Sequence, residues 1–324
     1  MNDVADFDVA IIGAGPSGSV SAALLHQQGF RVCVIERTHF PRFVIGESLL
    51  PYSMDILEEA DLVRVVQAQQ GFQYKNGAAF TWGERYTWFD FTDKFSKGPG
   101  TTFQVQRAVF DKILIDEAER RGVTVRYGQN VTGYEEIEGA SGEPLARLRI
   151  EAPEGGYTLQ ARFVLDASGY GRVLPRLLGL ERPSVLSPRK AIFTHIDDRI
   201  VGDDFDRNKI LISTHPAERG VWSWLIPFGN GRSSIGFIGE PEWINQRAAG
   251  LKAADEGALN EALLRGVVAE IPRLSRILRN AVWDNGVPFS SISNYSANVT
   301  TLVGRNFALL GNAAEFLDPV FSSG

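Results

Sequence analysis

Apolar residues at the start of the chain form a strand-length run that leads into a helical period. Val9 to Ile12 is a short run rich in β-branched residues, which favours a strand. From residue 20 the apolar positions recur with the spacing of one helix face, and Gly29 precedes a second strand-like run, Arg31 to Ile35. The order of these segments predicts a β–α–β unit over residues 7–37.

Glycines occupy the turn between the first strand and the helix, in the spacing G-x-G-x-x-G. Gly13 allows the tight turn, Gly15 lets the backbone approach a pyrophosphate, and Gly18 lets the helix pack closely against the strand. Free N–H groups at the helix N-terminus favour phosphate. Glu36, at the end of the second strand, can accept hydrogen bonds from a ribose diol. The pattern predicts a dinucleotide site without deciding between FAD and NAD.

Beyond this unit, the hydrophobic pattern changes type several times. Alternating positions over residues 71–86 predict strands, with Asn76-Gly77 as the tight turn of a hairpin. Apolar positions with a helical period predict a helix over residues 107–120. Residues 191–239 alternate again and predict strands.

Two aromatic-rich β segments therefore interrupt segments of the dinucleotide-binding type. This order predicts an α/β fold in which a discontinuous cofactor domain carries an inserted sheet domain, with a substrate pocket between the two. The predicted cofactor domain comprises residues 1–72, 103–185 and 286–324, and the predicted substrate domain comprises residues 73–102 and 186–285.

Composition and charge change the expected partners. The chain of 324 residues has a net charge of −6 and no basic cluster, which disfavours nucleic acid. A single cysteine, Cys33, rules out an internal disulfide and fits a reducing compartment. The acidic N-terminus and the lack of a membrane-length apolar run predict a cytoplasmic protein without a membrane span. The four histidines lack metal-ligand spacing, so no metal site is predicted.

Four further blocks resemble one protein family. They are Phe40 to Pro51 (FPRFVIGESLLP), Asp166 to Gly169 (DASG), Trp222 to Pro227 (WSWLIP) and Gly311 to Ala314 (GNAA). With the glycine turn, they resemble flavin-dependent monooxygenases that use a single FAD-binding domain, and within that class the flavin-dependent halogenases of phenols and pyrroles. The resemblance implies a Rossmann-like FAD-binding domain of the p-hydroxybenzoate hydroxylase type with an inserted, mostly antiparallel substrate sheet.

The resemblance also implies which residues hold FAD. Asn312 stands where the family usually has an aspartate that holds the ribitol chain, and Arg107 matches an arginine that contacts the cofactor. On sequence alone, a solvated arginine at a helix start is an equal interpretation of Arg107. The residues expected to bind FAD are Gly13, Gly15, Pro16, Ser17, Gly18, Glu36, Arg37, Arg42, Gly46, Glu47, Ser48, Arg107, Asp166, Ala167, Gly169, Gly311, Asn312, Asp318 and Pro319.

A tryptophan motif distinguishes halogenases from hydroxylases within this class. Trp222, Trp224, Ile226 and Pro227 match the pattern W-x-W-x-I-P, whose bulk in halogenases keeps the substrate away from the flavin. Two tryptophans two positions apart in a strand also fit an ordinary core strand, and geranylgeranyl reductases carry a similar W-x-F-P stretch. The motif therefore supports the halogenase interpretation together with the other blocks.

Lys75 is the residue that the resemblance implies for catalysis. It lies in Tyr74-Lys75-Asn76-Gly77, and halogenases of this branch carry a lysine in a similar context. Burial beside aromatic side chains would lower the pKa of the amine and expose its neutral, nucleophilic form. By itself the segment also fits an exposed hairpin lysine. The aromatic residues expected to line the pocket are Phe72, Phe80, Trp82, Trp88 and Phe103.

The resemblance implies a reaction in which reduced FAD, dioxygen and a halide, chloride or bromide, form hypohalous acid. A separate flavin reductase supplies the reduced FAD. The acid reaches Lys75, which directs an electrophilic halogen to an electron-rich aromatic substrate, free or bound to a carrier protein. Ser323 and Gly324 match the family's halide-binding step. In the family this step opens a helix and further chain follows, so the end at Gly324 predicts weak FAD binding and little activity.

Three alternatives stay open on the sequence. An aromatic hydroxylase or other oxidase on the same scaffold would not need Lys75 and would let substrate reach the flavin. A prenyl reductase would need an open apolar tunnel and no halide. A non-catalytic remnant that binds FAD or a partner is the third.

Overall fold

The computed structural model describes residues 5–202 and 205–322. The first large sheet contains seven strands. In spatial order they are β7 (Thr124–Tyr127), β2 (Val32–Glu36), β1 (Phe7–Ile12), β10 (Tyr157–Asp166), β9 (Pro144–Glu151) and β8 (Asn130–Glu138), with β18 (Phe307–Leu309) beside the second half of β10. Strands β7, β2, β1, β10 and β18 are parallel, and β9 and β8 return antiparallel. The carboxyl ends of the parallel strands therefore meet at one edge, where α/β sheets bind ligands.

The second large sheet also contains seven strands. In spatial order they are β16 (Ser290–Ser293), β12 (Lys190–Asp197), β15 (Arg232–Gly239), β14 (Trp222–Pro227), β13 (Lys209–Thr214), β4 (Gly77–Trp82) and β5 (Arg85–Asp90). Every pairing is antiparallel except that of β13 with β4. The predicted α/β fold with a mostly antiparallel second sheet is confirmed.

Two short ladders complete the strands. They pair β3 (Gln73–Lys75) with β6 (Thr102–Gln104), and β11 (Glu181–Arg182) with β17 (Asn298–Val299). Lys75 lies opposite Thr102 in the first of them. Along the chain, Lys75 therefore follows β2 of the first large sheet and precedes β4 of the second.

Eight α-helices cover the sheets in the described part of the chain. They are α1 (Pro16–Gln27), α2 (Tyr52–Glu59), α3 (Val63–Gln67), α4 (Arg107–Arg120), α5 (Val173–Leu177), α6 (Pro241–Ala248), α7 (Glu256–Glu270) and α8 (Pro272–Ile277). Helices α1 to α4 bury their apolar side chains against the first sheet, and α6 to α8 against the second. None of the helices in residues 5–202 and 205–322 is both long and apolar enough to cross a bilayer.

The predictions made from local patterns are confirmed for the first β–α–β unit and for one helix. The first unit is β1, α1 and β2, and the predicted helix over residues 107–120 is α4. The hairpin at Asn76-Gly77 is wrong, because β3 pairs with β6 whereas β4 pairs with β5 and β13. The backbone of Asn76 instead bonds to Asn208 and Phe91, so the chain passes from one ladder to another there.

The division into two discontinuous domains stays a prediction. Strand β16, at Ser290–Ser293, falls within the range 286–324 that was assigned to the cofactor domain, yet it pairs with β12 of the second sheet. Strand β18, further along the same range, pairs with β10 of the first sheet.

Candidate functional site

The glycine turn between β1 and α1 has the close contacts that its spacing predicts. A β-carbon placed on Gly18 would lie 1.9 Å from the carbonyl oxygen of Gly13. Gly13 itself has φ +97°, and its N–H donates to the Ile35 carbonyl over 2.8 Å. Gly15 differs, because a β-carbon there would first meet Nη2 of Arg42, at 3.7 Å. Gly13 and Gly18 therefore close the turn, whereas Gly15 borders open space.

Glu36 is held beside this turn by its own chain. One carboxylate oxygen accepts the N–H of Ala14 at 2.9 Å, and the other accepts the N–H and hydroxyl of Thr38 at 2.9 and 2.7 Å. The side chain is buried. Because backbone donors orient the carboxylate on two sides, its position is fixed before any ligand binds.

Two arginines share one buried carboxylate next to the turn. Arg107, at the first position of α4, donates to both oxygens of Asp111 at 2.6 and 3.0 Å. It also donates to the carbonyl of Ile45 at 3.0 Å. Nη2 of Arg42 lies 3.6 Å from the same carboxylate, whose side chain has no solvent exposure. Arg107 thus fixes the segment around Gly46, which contains residues expected to bind FAD.

The buried Asp111 gives a stability prediction. Replacing it with Ala leaves Arg107 and Arg42 without their shared carboxylate, so we expect the free energy of unfolding to fall by about 3 kcal/mol. The control is Asp116→Ala, which removes an exposed pair with Lys112 on the same helix and should cost less than about 1 kcal/mol. Chemical denaturation measures both. Equal, small losses would show that the buried network contributes nothing.

The DASG block (Asp166 to Gly169) and the GNAA block (Gly311 to Ala314) meet at the carboxyl edge of the first sheet. The Asp166 carboxylate accepts the N–H of Ser168 at 2.9 Å and that of Leu174 at 2.6 Å, so it holds its own turn rather than facing a ligand. The N–H of Leu310 donates to the Asp166 carbonyl over 2.8 Å. A β-carbon on Gly311, where φ is +51°, would lie 3.0 Å from the Ser17 hydroxyl. The GNAA block thus lies against the start of α1.

Arg172 is a residue of this site that the sequence reasoning missed. Its guanidinium is buried and donates to the carbonyls of Ala314 and Asn298, at 3.2 and 3.1 Å, and to the carboxylate of Glu181 at 2.9 Å. It therefore ties the DASG block to the chain around the GNAA block. Its place directly after the DASG-Tyr-Gly stretch was the available signal.

The cradle formed by these blocks fits a bound dinucleotide. Nε of Arg42 is buried and has no hydrogen-bond partner among the described residues. A diphosphate placed between the N-terminus of α1 and Arg42 would supply that acceptor, and the space beside Gly15 gives it room. The predicted residues Pro16, Ser17 and Glu36 lie around the same turn, and Arg37 is exposed at its rim.

Lys75 is fully buried, as the functional interpretation requires. Its ammonium nitrogen donates to the Ser48 hydroxyl at 2.6 Å and to the Leu49 carbonyl at 2.7 Å, and lies 5.1 Å from the ring centroid of Phe91. Burial lowers the pKa of Lys75 from its usual value to about 7. Both oxygen partners are uncharged, so the charged form gains no ion pair to offset desolvation.

This burial predicts how stability depends on pH. The unfolded lysine keeps its proton up to about pH 10.4, whereas the folded one loses it near pH 7. Between these values the unfolded state binds more protons, so the free energy of unfolding should rise with pH. Relative to the Lys75→Met variant, we expect the free energy of unfolding of the native protein to rise by about 2 kcal/mol from pH 7.5 to pH 9.5. Urea denaturation measures both proteins. If their free energies of unfolding change in parallel with pH, the amine of Lys75 is not buried in its neutral form.

The last segment reaches the same lysine through Ser48. The Ser322 hydroxyl donates to the Ser48 hydroxyl over 3.0 Å. Asp318 accepts the N–H of Val320 at 3.0 Å and thereby begins the short 3₁₀ helix Pro319–Phe321. Asp318 and Pro319 thus shape this turn. The predicted halide residues Ser323 and Gly324 lie outside the described residues.

The tryptophan motif forms one apolar face of the second sheet. Trp222, Trp224 and Ile226 point to the same face, with the two indole centroids 6.2 Å apart, whereas Leu225 points into the opposite core. Nε1 of Trp224 donates to the Ser234 hydroxyl over 3.0 Å. Ile45, Tyr170, Phe316 and Val320, from the cofactor-side segments, pack against this face. Pro227 ends the strand, and its role in a passage stays a prediction.

Glu47 contacts a histidine that the sequence reasoning left outside the site. Its carboxylate lies 2.7 Å from Nε2 of His195 in β12, and both side chains are buried. The rings of Phe43 and Phe228 flank the imidazole, with centroids at 4.9 and 5.1 Å. Glu47 and His195 are 148 positions apart in the sequence, so no local pattern could predict this contact. Glu47 therefore joins the segment after Gly46 to the second sheet.

The prediction that five aromatic residues line one pocket is wrong, because they do not share a surface. Phe72 packs in the first core against Phe110, whereas Trp82 and Trp88 are exposed on the second sheet. The split follows from the chain's passage between two ladders at residue 76, which sends the flanking aromatic residues to different sheets. Among the described residues there is also no cluster of His, Cys, Asp or Glu that could hold a metal ion.

Comparison with known proteins places this cradle in a family. The family profile described as FAD binding domain matches residues 6–275. The chain is 41% identical, with a TM-score of 0.87, to a flavoprotein/dehydrogenase from Cytophaga hutchinsonii, over 98% of this chain and 74% of that one. It is 30% identical, with a TM-score of 0.82, to the myxobacterial chondrochloren halogenase CndH, over 98% and 70% of the two chains.

Characterised sequences give the same result. Over 98% of this chain, it is 29% identical to tryptophan 2-halogenase from Chondromyces crocatus and 28% identical to 1H-pyrrole-2-carbonyl-(peptidyl-carrier protein) chlorinase from Pseudomonas fluorescens. The chain spans 58% and 72% of the lengths of these two relatives. FAD is the cofactor of the family, in agreement with the cradle. The chain belongs to the FAD-binding flavoproteins, and within them to the FAD-dependent halogenases.

Proposed function

We propose that this protein acts as an FAD-dependent halogenase that uses Lys75 to transfer a halogen to an electron-rich aromatic substrate, a phenol or a pyrrole. The observation that carries the proposal is the fully buried Lys75 amine, whose pKa is lowered to about 7. Unpaired lysines are rarely buried, because desolvation of the charge is costly. A neutral amine held inside the protein is a nucleophile at physiological pH.

Lys75 can carry the halogen by ordinary amine chemistry. Reduced FAD bound in the cradle, with dioxygen and a halide, would supply hypohalous acid. The Lys75 lone pair attacks the halogen, so that an N–halogen bond forms and the oxygen–halogen bond breaks, and the departing hydroxide takes up one N–H proton of the amine and leaves as water. The aromatic carbon then takes the halogen from nitrogen and its displaced proton returns to the amine. Fixing the amine between two oxygens limits where the halogen can point.

A groove next to Lys75 supports an aromatic substrate. It has a volume of about 330 Å³, and Phe91, whose ring lies 5.1 Å from Nζ of Lys75, forms part of its wall. Tyr52 and Phe89, both exposed, lie on the same wall. Flat rings of this kind favour stacking with an aromatic molecule. The groove is the proposed substrate site, with Phe91 bordering both the groove and the amine.

The proposed partners follow from the relatives and from the chemistry. One relative is a chlorinase of a pyrrole group on a peptidyl-carrier protein, and another is a halogenase of tryptophan. An aromatic substrate, free or bound to a carrier protein, is therefore the proposed class. A separate flavin reductase is the proposed source of reduced FAD.

A halide-dependent assay tests the activity. The purified protein is incubated with FAD, a flavin reductase, NADH, oxygen and either chloride or bromide, together with a panel of phenols and pyrroles. Mass spectrometry should show a product in which a halogen replaces hydrogen and whose amount depends on the halide. A product that gains oxygen, at the same rate without halide, would show a hydroxylase instead.

A flavin oxidoreductase without halogen transfer is the second candidate. It is favoured by the 41% identical relative, which is described as a flavoprotein/dehydrogenase. This function would use the FAD cradle and would not need the Lys75 amine. Halide-independent oxidation or reduction of a substrate, retained in a Lys75→Met variant, is the result expected for it.

A further inference from the structure

Ser48 makes contacts that its predicted role in cofactor binding does not explain. Its hydroxyl oxygen accepts one hydrogen bond from Nζ of Lys75, at 2.6 Å, and another from the hydroxyl of Ser322, at 3.0 Å. Ser48 is half-buried, whereas Lys75 is fully buried. A small oxidant that approaches the lysine from this side therefore meets Ser48 at the same time.

The two oxygen partners of the Lys75 amine differ in what they can do with a proton. The Leu49 carbonyl, 2.7 Å from Nζ, can accept a hydrogen bond and has no proton to pass on. The Ser48 hydroxyl can accept a proton and release its own. When the neutral amine takes a halogen from hypohalous acid, one N–H bond must break, and the departing hydroxide must gain that proton to leave as water.

We propose that Ser48 is the proton relay of Lys75. As the N–halogen bond forms, Ser48 takes the N–H proton of Lys75 and passes its own hydroxyl proton to the departing hydroxide, while Ser322 holds the Ser48 hydroxyl in place. The balance is one amine and one hypohalous acid giving one haloamine and one water. This inference rests on the proposed function, because it concerns the step at Lys75.

The backbone around Ser48 is fixed well enough for such a role. The Val105 N–H donates to the Glu47 carbonyl at 2.8 Å, and the Leu49 N–H donates to the Phe103 carbonyl at 3.2 Å. The Glu47 carboxylate is bound to His195 in the second sheet. With both neighbours of Ser48 held, the hydroxyl has little freedom to leave the lysine, which favours a preorganised transfer.

Direct halogenation of the lysine tests the relay without the flavin reaction. Purified protein receives substoichiometric hypochlorite, and peptide mapping by mass spectrometry follows the rate at which chlorine appears on Lys75. Lys252, an exposed lysine between α6 and α7, is the internal reference in every sample. We expect Ser48→Ala to slow chlorination of Lys75 relative to Lys252 by about tenfold or more. Ser48→Thr, which keeps the hydroxyl, should restore the rate to within about threefold of the native protein.

Each other result overturns the relay in a distinguishable way. Equal rates in native protein and Ser48→Ala would remove Ser48 from the step and leave the proposed function intact. A loss in Ser48→Ala that Ser48→Thr does not restore would show a structural role. Chlorination of Lys252 without any at Lys75 in the native protein would overturn the relay and the proposed function together. Thermal unfolding confirms that both variants are folded.

Discussion

Replacing Lys75 with Met is expected to lower the rate of halogen transfer by about 10²- to 10⁴-fold, the range seen when a positioned reacting side chain is removed. Methionine keeps the length of the buried side chain and removes the nitrogen, so packing is largely preserved. Lys75 does not belong to the glycine turn or the arginine pair, so flavin binding should persist. Product formation by mass spectrometry and flavin absorbance measure the two effects separately.

The matched control is Lys209→Met. Lys209 is also buried, but its ammonium pairs with the carboxylate of Asp206 at 2.7 Å and lies over the ring of Trp88. This variant loses a buried amine without touching Ser48 or Leu49, and its rate of halogen transfer should stay within about threefold of native. A Lys75→Met protein that transfers halogen at the native rate would remove the lysine from the mechanism.

Replacing Gly15 with Ala is expected to weaken FAD binding by about 10- to 100-fold. The added methyl group meets Nη2 of Arg42 at 3.7 Å, an ordinary contact, so the free protein should fold normally. It does, however, fill the space where a pyrophosphate would approach the backbone, and overpacking of this kind costs about 1–3 kcal/mol. Titration of FAD by quenching of its fluorescence measures the affinity.

Gly266→Ala is the control for Gly15→Ala. Gly266 lies inside α7 of the second sheet's helical layer, and a β-carbon there would meet nothing within 4 Å. Alanine in a helix interior is favoured over glycine by up to about 1 kcal/mol, so this variant should be slightly more stable with unchanged FAD affinity. Equal affinities for Gly15→Ala and the native protein would place the cofactor away from the glycine turn.

The glycine turn and the helix that follows Gln106 could be predicted because their causes are local. A steric demand on neighbouring residues leaves a fixed spacing in the sequence, as at Gly18, where an added β-carbon would lie only 1.9 Å from the Gly13 carbonyl oxygen. The same reasoning failed at Asn76-Gly77, where the dipeptide has the composition of a hairpin turn. There the backbone partners, Asn208 and Phe91, are set by strand pairing between distant segments, and local propensity was overridden.

Short-range spacing and block identity were enough to predict the β–α–β cofactor unit, the tryptophan-bearing strand and the family of the chain. The folded chain is needed to show that Lys75 is buried, that Ser48 bonds to it and to Ser322, and that Glu47 pairs with His195. These contacts join residues 27, 274 and 148 positions apart. A lysine's sequence neighbours do not reveal its access to water. Burial is a property of the packed sheets, and it is burial that lowers the pKa of the amine.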